Sequence, residues 1–150
     1  MKKHLCNRLL CLVLAVALGC RTVGDSSVGS DAYDLYFREA DLEAVSGGDA
    51  LRAEKVVLPA EVQGDVTKTA EALVKRLLAG PVDETLRSPF PVGTIMMSLE
   101  VDGGRALVDM SSSYGNLSGV ALTLADYAIT LTLTQLPEIS VVNVTVRGKN

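Results

Sequence analysis

The chain has 150 residues, of which 48% are hydrophobic and 21% are charged. This length predicts one domain, large enough to bury a core without help from metals or disulfides. The net charge is −4, and it becomes −7 without the first 19 residues, which hold three of the 14 basic residues and none of the 18 acidic ones. An acidic body with no basic cluster repels phosphate, so we expect no nucleic-acid partner.

The N-terminus has the pattern of a bacterial export signal. A short basic start is followed by an apolar run, Leu9 to Leu18, which is shorter than the roughly 20 residues of a membrane-spanning helix. Two processing sites compete. Ala15-Val16-Ala17 fits ordinary signal peptidase, whereas Ala17-Leu18-Gly19-Cys20 resembles a lipoprotein signal, in which the cysteine is lipidated and becomes the new N-terminus. The usual leucine three positions before that cysteine is replaced here by Ala17.

The cysteines favour the lipoprotein site. Cys6 and Cys11 leave with the signal, so cleavage after Ala17 would leave Cys20 as an unpaired thiol in an exported protein. Lipidation gives this thiol a use and anchors the chain outside the cytoplasm, in the periplasm or at the cell surface. We therefore predict a lipoprotein-type signal over residues 1–19, a flexible polar tether over residues 20–32 and a domain over residues 33–150. Plain secretion is the alternative.

Three short strands and a helix are predicted in the first half of the domain. The strands are Tyr33–Phe37, Asp41–Val45 and Arg52–Leu58. The helix runs from Asp65 to Leu78, where apolar residues recur at spacings of three and four. Asp65 is placed to cap its first turn, and Gly80-Pro81 ends it.

A proline-rich loop and a β-hairpin are predicted in the stretch from Pro89 to Met110. The residues of both arms alternate in polarity, and Gly103-Gly104 tolerates the positive φ angles of a two-residue turn. This turn predicts three apolar cross-strand pairs, which are Met97 with Met110, Leu99 with Val108, and Val101 with Ala106. A turn at Asp102-Gly103 would keep the same faces together.

Residues 123–135 have two conflicting patterns. The alternation of Ile129–Thr134 is typical of a strand, and by itself it slightly favours one. Helical spacing is also present, in Leu124, Ala128 and Leu131. In addition, Thr123 and Asp126 have the spacing of a helix capping box.

The chain ends with a predicted strand. Pro137 breaks the preceding element, and Val142, Val144 and Val146 then alternate with polar residues. The apolar pair Val141-Val142 at the start of this strand predicts a position inside a sheet.

Several short motifs occur in an order that resembles the GerMN domain family of sporulation and germination proteins. They are Leu35-Tyr36-Phe37, the run from Ala72 to Pro81, Pro91-Val92-Gly93-Thr94, Val108-Asp109, the run from Leu131 to Pro137, Val142-Asn143-Val144 and Gly148. Together they extend over the region from Tyr33 to Lys149, essentially the whole predicted domain. Arg147 departs from the family pattern, which commonly has an acidic residue before this glycine, and the domain occurs once where the founding member has two copies.

The resemblance implies an α+β fold, a small mixed sheet with two helices packed on it in the order β-β-β-α-β-β-α-β. In this fold residues 123–135 form a helix, and we adopt that assignment because tertiary context overrides weak alternation. The resemblance also implies an exported, often lipid-anchored protein, associated in the sporulation branch with protein assemblies between two membranes. It lends no catalytic residues.

Reaction chemistry is poorly represented in the chain. The one histidine, His4, lies in the predicted signal. The predicted domain therefore has no histidine for a catalytic triad or for the common zinc sites. No phosphate-binding glycine motif occurs. The remaining candidates are acids that could pair for glycan cleavage, namely Asp41, Glu43, Asp83, Glu84, Asp102 and Asp109. We interpret them as surface charges and predict no catalytic, cofactor-binding or metal-binding residue.

The sequence therefore predicts a non-enzymatic interaction or assembly module of the bacterial envelope, attached to the membrane by lipid on Cys20. Its expected partners are other envelope proteins or a second copy, bound at a sheet edge or helix face, with no small-molecule substrate. The alternative is a carboxylate-dependent hydrolase of cell-wall peptidoglycan, which needs two acids facing a groove. A lipid or small-ligand carrier would instead need a sizeable apolar pocket.

Overall fold

The computed structural model describes residues 32–40 and 50–149. These residues form an α+β fold of two three-stranded sheets and two α-helices. The elements are β1 (Ala32–Glu39), β2 (Leu51–Val57), α1 (Val66–Leu78), β3 (Leu86–Arg87), β4 (Met96–Asp102), β5 (Arg105–Met110), α2 (Gly119–Leu133) and β6 (Val141–Val146). The predicted α+β class is confirmed, although the strands divide between two sheets instead of joining in one.

Several predictions lie outside the described residues. These are the export signal, the lipidated Cys20, the tether up to residue 31 and the second strand at Asp41–Val45. The other predicted strands and both helices are present, and β1 begins at Ala32, one residue before the expected start of the domain.

The first sheet has the strand order β2-β1-β3, with antiparallel pairing throughout. Its central strand contributes Leu35 and Phe37, both fully buried, to the core. Strand β3 has only two residues and pairs with the end of β1, opposite Arg38 and Glu39. The remaining edge of β1 therefore needs other partners for its backbone groups.

Helix α1 forms where the apolar spacing predicted it. Asp65 occupies the N-cap position, and its Oδ1 accepts a hydrogen bond from the Lys68 backbone N–H at 3.1 Å. The buried face consists of Thr69, Ala70, Leu73, Val74 and Leu77. Gly80 follows the helix with a φ of +90°, a conformation that glycine adopts without strain.

The second sheet has the order β4-β5-β6. The β4-β5 hairpin turns at Gly103-Gly104, where both φ angles are positive, and two of the three predicted apolar pairs are present. The pairing of Met97 with Met110 is wrong, because a β-bulge inserts one residue and places Met96 opposite Met110. Met97 is therefore directed to solvent and is 58% exposed.

Helix α2 resolves the conflict in the sequence pattern in favour of a helix, as the GerMN resemblance implied. Its buried residues recur at helical spacing and are Ala125, Ala128, Ile129, Thr132 and Leu133. The helix begins at Gly119, so the predicted capping box at Thr123 is wrong. The Thr123 hydroxyl instead donates to the backbone oxygen of Gly119 within the first turns.

Strand β6 pairs with β5 in parallel and lies at the end of its sheet. The predicted position inside a sheet is therefore wrong, and Val141 is 44% exposed. The apolar start of this strand is explained by Val142 and Val144, which pack partly buried against the core. A sequence pattern does not distinguish this half-buried edge from an interior strand.

Gln135, just after α2, hydrogen-bonds to the backbone of β1 on the edge away from β2, at a point where no strand of the described residues pairs with it. Its Oε1 accepts a hydrogen bond from the Asp34 backbone N–H, and its Nε2 donates to the Asp34 backbone oxygen, both at 2.8 Å. The same Nε2 donates to the Thr132 oxygen at 2.6 Å. One side-chain amide thus satisfies two backbone groups of β1 and ties the end of α2 to the first sheet.

We expect Gln135→Leu to lower the free energy of unfolding by about 2 kcal/mol, because partly buried backbone groups lose their partners. The measurement is urea denaturation. Gln63→Leu is the matched control, since among the described residues the Gln63 amide donates a single hydrogen bond, to the Leu58 oxygen. An equal loss in the two variants would contradict the role assigned to Gln135.

Candidate interaction surface

The solvent-facing side of α2 is apolar. Val120, Leu124, Tyr127 and Leu131 follow one another at spacings of four, three and four, which places them along one side of the helix. Val120 is 76% exposed, Tyr127 57% and Leu131 37%, while Leu124 is partly buried. We call these four residues the α2 face. An apolar stripe of this kind on the surface is typical of an interaction site.

Asp126 is the one charged residue of α2, and it faces away from this stripe. The hydroxyl of buried Tyr114 donates a hydrogen bond to Asp126 Oδ1 at 2.5 Å. Burial, reinforced by this hydrogen bond and by the negative charge of the carboxylate, raises the pKa of Tyr114 above its ordinary range. The carboxylate of Asp126 therefore bonds to a buried side chain of the domain, and the α2 face contains no charged residue.

A groove borders the α2 face on the side of the proline-rich loop. Its volume is about 400 Å³, and one side is open to solvent. Apolar walls come from Pro89, Phe90, Pro91, Leu117, Val120 and Leu124. Strand β1 contributes Arg38, so the groove combines apolar walls with one cation. We call it the Arg38 groove.

Phe90 fixes the loop side of this groove. Its ring packs on the ring of Tyr114, with centroids 6.2 Å apart, and its side chain is 8% exposed. Tyr114 is in turn hydrogen-bonded to α2 through Asp126. The loop and the helix are thus held together through one aromatic contact and one hydrogen bond, which gives the groove a defined shape.

Four of the six candidate acids lie in the described part of the chain, and Asp41 and Glu43 lie outside it. The hydroxyl and backbone N–H of Thr85 donate to Asp83, which also pairs with Arg52 at 3.1 Å. These contacts hold the pKa of Asp83 below its ordinary value. Glu84 and Asp102 are exposed.

Asp109 anchors the turn that follows β6. Its Oδ1 accepts a hydrogen bond from the Gly148 backbone N–H at 2.7 Å and one from the Thr145 hydroxyl at 2.8 Å. Both contacts hold the pKa of Asp109 below its ordinary value. Arg147 precedes this glycine with a φ of +50°, a conformation unusual for residues other than glycine, asparagine and aspartate. The carboxylate therefore holds a turn whose sequence is poorly suited to it.

The lowered pKa of Asp109 predicts a pH dependence of stability. A carboxylate with a depressed folded pKa stabilises the fold above its unfolded pKa of about 4, and this contribution is lost as the pH falls through the folded value. We therefore expect wild type to exceed Asp109→Asn in unfolding free energy near neutral pH and to lose that advantage in acid. Urea denaturation from about pH 7 to about pH 2 measures both proteins.

Asp102→Asn removes an exposed carboxylate from the same hairpin and serves as the charge-matched control. A difference between wild type and Asp109→Asn that stays constant across this pH range would contradict the assignment.

The described residues contain no cluster of three or more histidine, cysteine, aspartate or glutamate side chains suited to a metal ion. Within the same part of the chain, no helix has the length and apolar character needed to cross a membrane. The predicted lipid-attachment residue, Cys20, lies outside the described residues, so the site named from sequence and the surface seen in the fold are separate features.

Sequence reasoning did not single out the α2 face. Its signal was present, since residues 119–133 contain one charge and have apolar residues at helical spacing on more than one side. A helix that is apolar all round is usually buried on all sides. Only the packing around α2 reveals which of its sides stays exposed within the described part of the chain.

The fold defines the class of the protein as a small two-sheet α+β domain with an exposed apolar helix face. A sequence model of the Germane family, described as sporulation and spore germination, matches residues 34–150. The chain belongs to this family, and the GerMN resemblance predicted from the sequence is confirmed. No protein with a curated description matches the sequence.

Three solved structures are similar to this chain. The first GerMN domain of the sporulation protein GerM from Bacillus subtilis has a TM-score of 0.58 at 19% identity, covering 80% of this chain and 85% of that one. The tandem GerMN domains of the same protein have a TM-score of 0.56 at 20% identity, with 80% of this chain and 40% of that chain covered. A candidate lipoprotein from Clostridium perfringens has a TM-score of 0.52 at 19% identity, covering 79% and 76%. These likenesses establish the fold.

Proposed function

We propose that this protein is a non-enzymatic interaction module of the bacterial cell envelope, held outside the cytoplasm by lipid on Cys20. The observation that carries the proposal is the α2 face, an uncharged apolar stripe on an otherwise acidic protein. Like-charged protein surfaces repel one another, so association is easiest where charge is absent. The module binds another envelope protein, or a second copy of itself, through this face.

The export signal and the family support the location. The residues before Cys20 have the order of a lipoprotein signal, and one similar structure belongs to a candidate lipoprotein. Confinement of the chain to a membrane surface raises the effective concentration of any partner in the same membrane, so a small interaction surface is sufficient.

The chemistry of the acids supports a role without catalysis. A glycoside hydrolase needs a carboxylic acid with a raised pKa that donates a proton. Asp83 and Asp109 have lowered pKa values, and each is occupied by structural hydrogen bonds. These two residues are therefore suited to holding loops in place, and they are poor general acids. The alternative of a peptidoglycan hydrolase gains no support from them.

The relatives support an assembly role for the domain. A related structure contains two GerMN domains in tandem, whereas this chain matches the family over one such region. A second domain of the same kind is therefore one natural partner for the α2 face. The uncharged surface allows two acidic copies to approach without bringing like charges together.

We expect a photoreactive amino acid at Tyr127 to give a discrete crosslinked product in cells, because this side chain lies at the centre of the α2 face. The same group at Lys68, whose side chain is 66% exposed on α1, is the control and should give none. Gel mobility and mass spectrometry identify the product. A product of twice the chain mass indicates a second copy, and another fixed mass indicates a different envelope protein.

Val120→Asp tests whether the crosslink depends on the α2 face. Val120 lies in the first turn of α2, where a negative charge is compatible with the helix dipole, so the variant should fold. It should abolish the product at Tyr127. A product that persists in this variant, or equal products from Tyr127 and Lys68, would rule out the α2 face as the contact surface.

Lipid attachment has its own test. Cells labelled with a fatty-acid analogue should incorporate it into the natural chain and not into Cys20→Ala, because the thiol is the acceptor. Membrane fractionation of both chains provides the second readout. Equal labelling of the two chains, or an unlabelled natural chain released from the membrane, would favour plain secretion.

A further inference from the structure

Arg38 is a half-buried cation that lacks a counter-charge in the described part of the chain. Its side chain lines the groove beside α2, and within residues 32–40 and 50–149 its guanidinium takes part in no hydrogen bond or ion pair. Arg52, on the neighbouring strand β2, behaves differently, since it pairs with Glu39 and Asp83. Guanidinium groups have five donors, and a half-buried one favours a carboxylate partner.

A second arginine strengthens the positive charge at this place. Arg87 is the cross-strand partner of Arg38, so the two side chains project from the same face of the sheet. Arg87 donates to the backbone oxygens of Glu84 and Leu86, which carry no formal charge, so its own charge has no counter-charge among residues 32–40 and 50–149. Two adjacent arginines thus form a local positive site on a protein of net charge −4.

We propose that the Arg38 groove binds an acidic amphipathic peptide segment of a partner protein. Apolar side chains of the segment occupy the space between Phe90, Leu117 and Leu124, and a flanking carboxylate pairs with Arg38. This inference rests on the proposed interaction function and names the chemistry of the partner. Charge complementarity selects the segment, because a basic one would face two arginines.

The shape of the groove favours a peptide over a small molecule. It is open along one side, and its apolar walls are continuous with the α2 face through Val120 and Leu124. A closed pocket would bury most of a small ligand, whereas an open groove joined to a longer apolar stripe matches an amphipathic helix laid along it. The bidentate geometry of arginine then fixes the register of the segment.

The test uses a matched pair of synthetic amphipathic peptides. Both have the same leucine positions, and the polar face is glutamate in one and lysine in the other. Binding of each labelled peptide to the full chain, purified from cells, is followed by fluorescence anisotropy. We expect the glutamate peptide to bind more tightly, with an affinity that falls as salt is raised.

Arg38→Gln should weaken binding of the glutamate peptide about tenfold. The affinity for the lysine peptide should stay the same or rise slightly. Arg38→Lys should restore part of the loss, since it keeps the charge without the fork of donors. Arg105→Gln, which removes an exposed arginine of β5 outside the groove, is the control and should change neither affinity. Thermal unfolding of each variant checks that the fold is retained.

Several results would overturn the inference. These are equal binding of the two peptides, no binding of either, or an effect of Arg105→Gln as large as that of Arg38→Gln. If the glutamate peptide binds only after Asp41 and Glu43 are replaced by amides, the chain's own acids occupy the site and a partner does not. If Tyr127 crosslinks in cells but the two peptides bind equally well, this inference is wrong and the proposed function stands. If the glutamate peptide binds more tightly but Tyr127 gives no crosslink in cells, the proposed function is wrong.

Discussion

Burial of α2 is the interaction on which the rest of the structure depends. The helix contacts β1 of the first sheet, β6 of the second sheet and α1, so it joins elements that share no strand pairing. Ile129 and Leu133 are fully buried there, each contributing about 2 kcal/mol of hydrophobic free energy. Gln135 then fastens the end of the helix to β1 through paired hydrogen bonds. Together with α1, which contacts β1 and β4, α2 closes one common core between the two sheets.

The same helix connects stability with the proposed function. Its inner side packs in the core, and its single charged residue, Asp126, is hydrogen-bonded to Tyr114. The outer side is therefore apolar and uncharged. The neighbouring groove adds Arg38, a cation without a counter-charge in the described residues. An acidic protein with one neutral stripe beside one positive site restricts its partners both by shape and by charge.

The acids illustrate how location decides chemistry. A list of carboxylates in a sequence is compatible with glycan hydrolysis. In the fold, Asp83 holds the loop before β3, and Asp109 holds the turn after β6. Hydrogen bonds from neutral donors and from Arg52 stabilise the ionised forms of these acids, which is the opposite of what a proton donor requires. Their physical role is to order loops.

The sequence by itself determined helix α1, the hairpin turn at Gly103-Gly104 and the family, because capping, apolar spacing and glycine conformation are local properties. The helical state of residues 123–135 was left open by the local pattern and was predicted only through the family resemblance. Only the tertiary structure decided the bulge at Met97 and the edge position of β6. It also decided the division of the strands into two sheets. These features depend on which surfaces meet across long sequence separations, and local patterns carry no record of those contacts. For the same reason, the apolar face of α2 can be identified only once the structure shows which other sides of the helix are buried in the core.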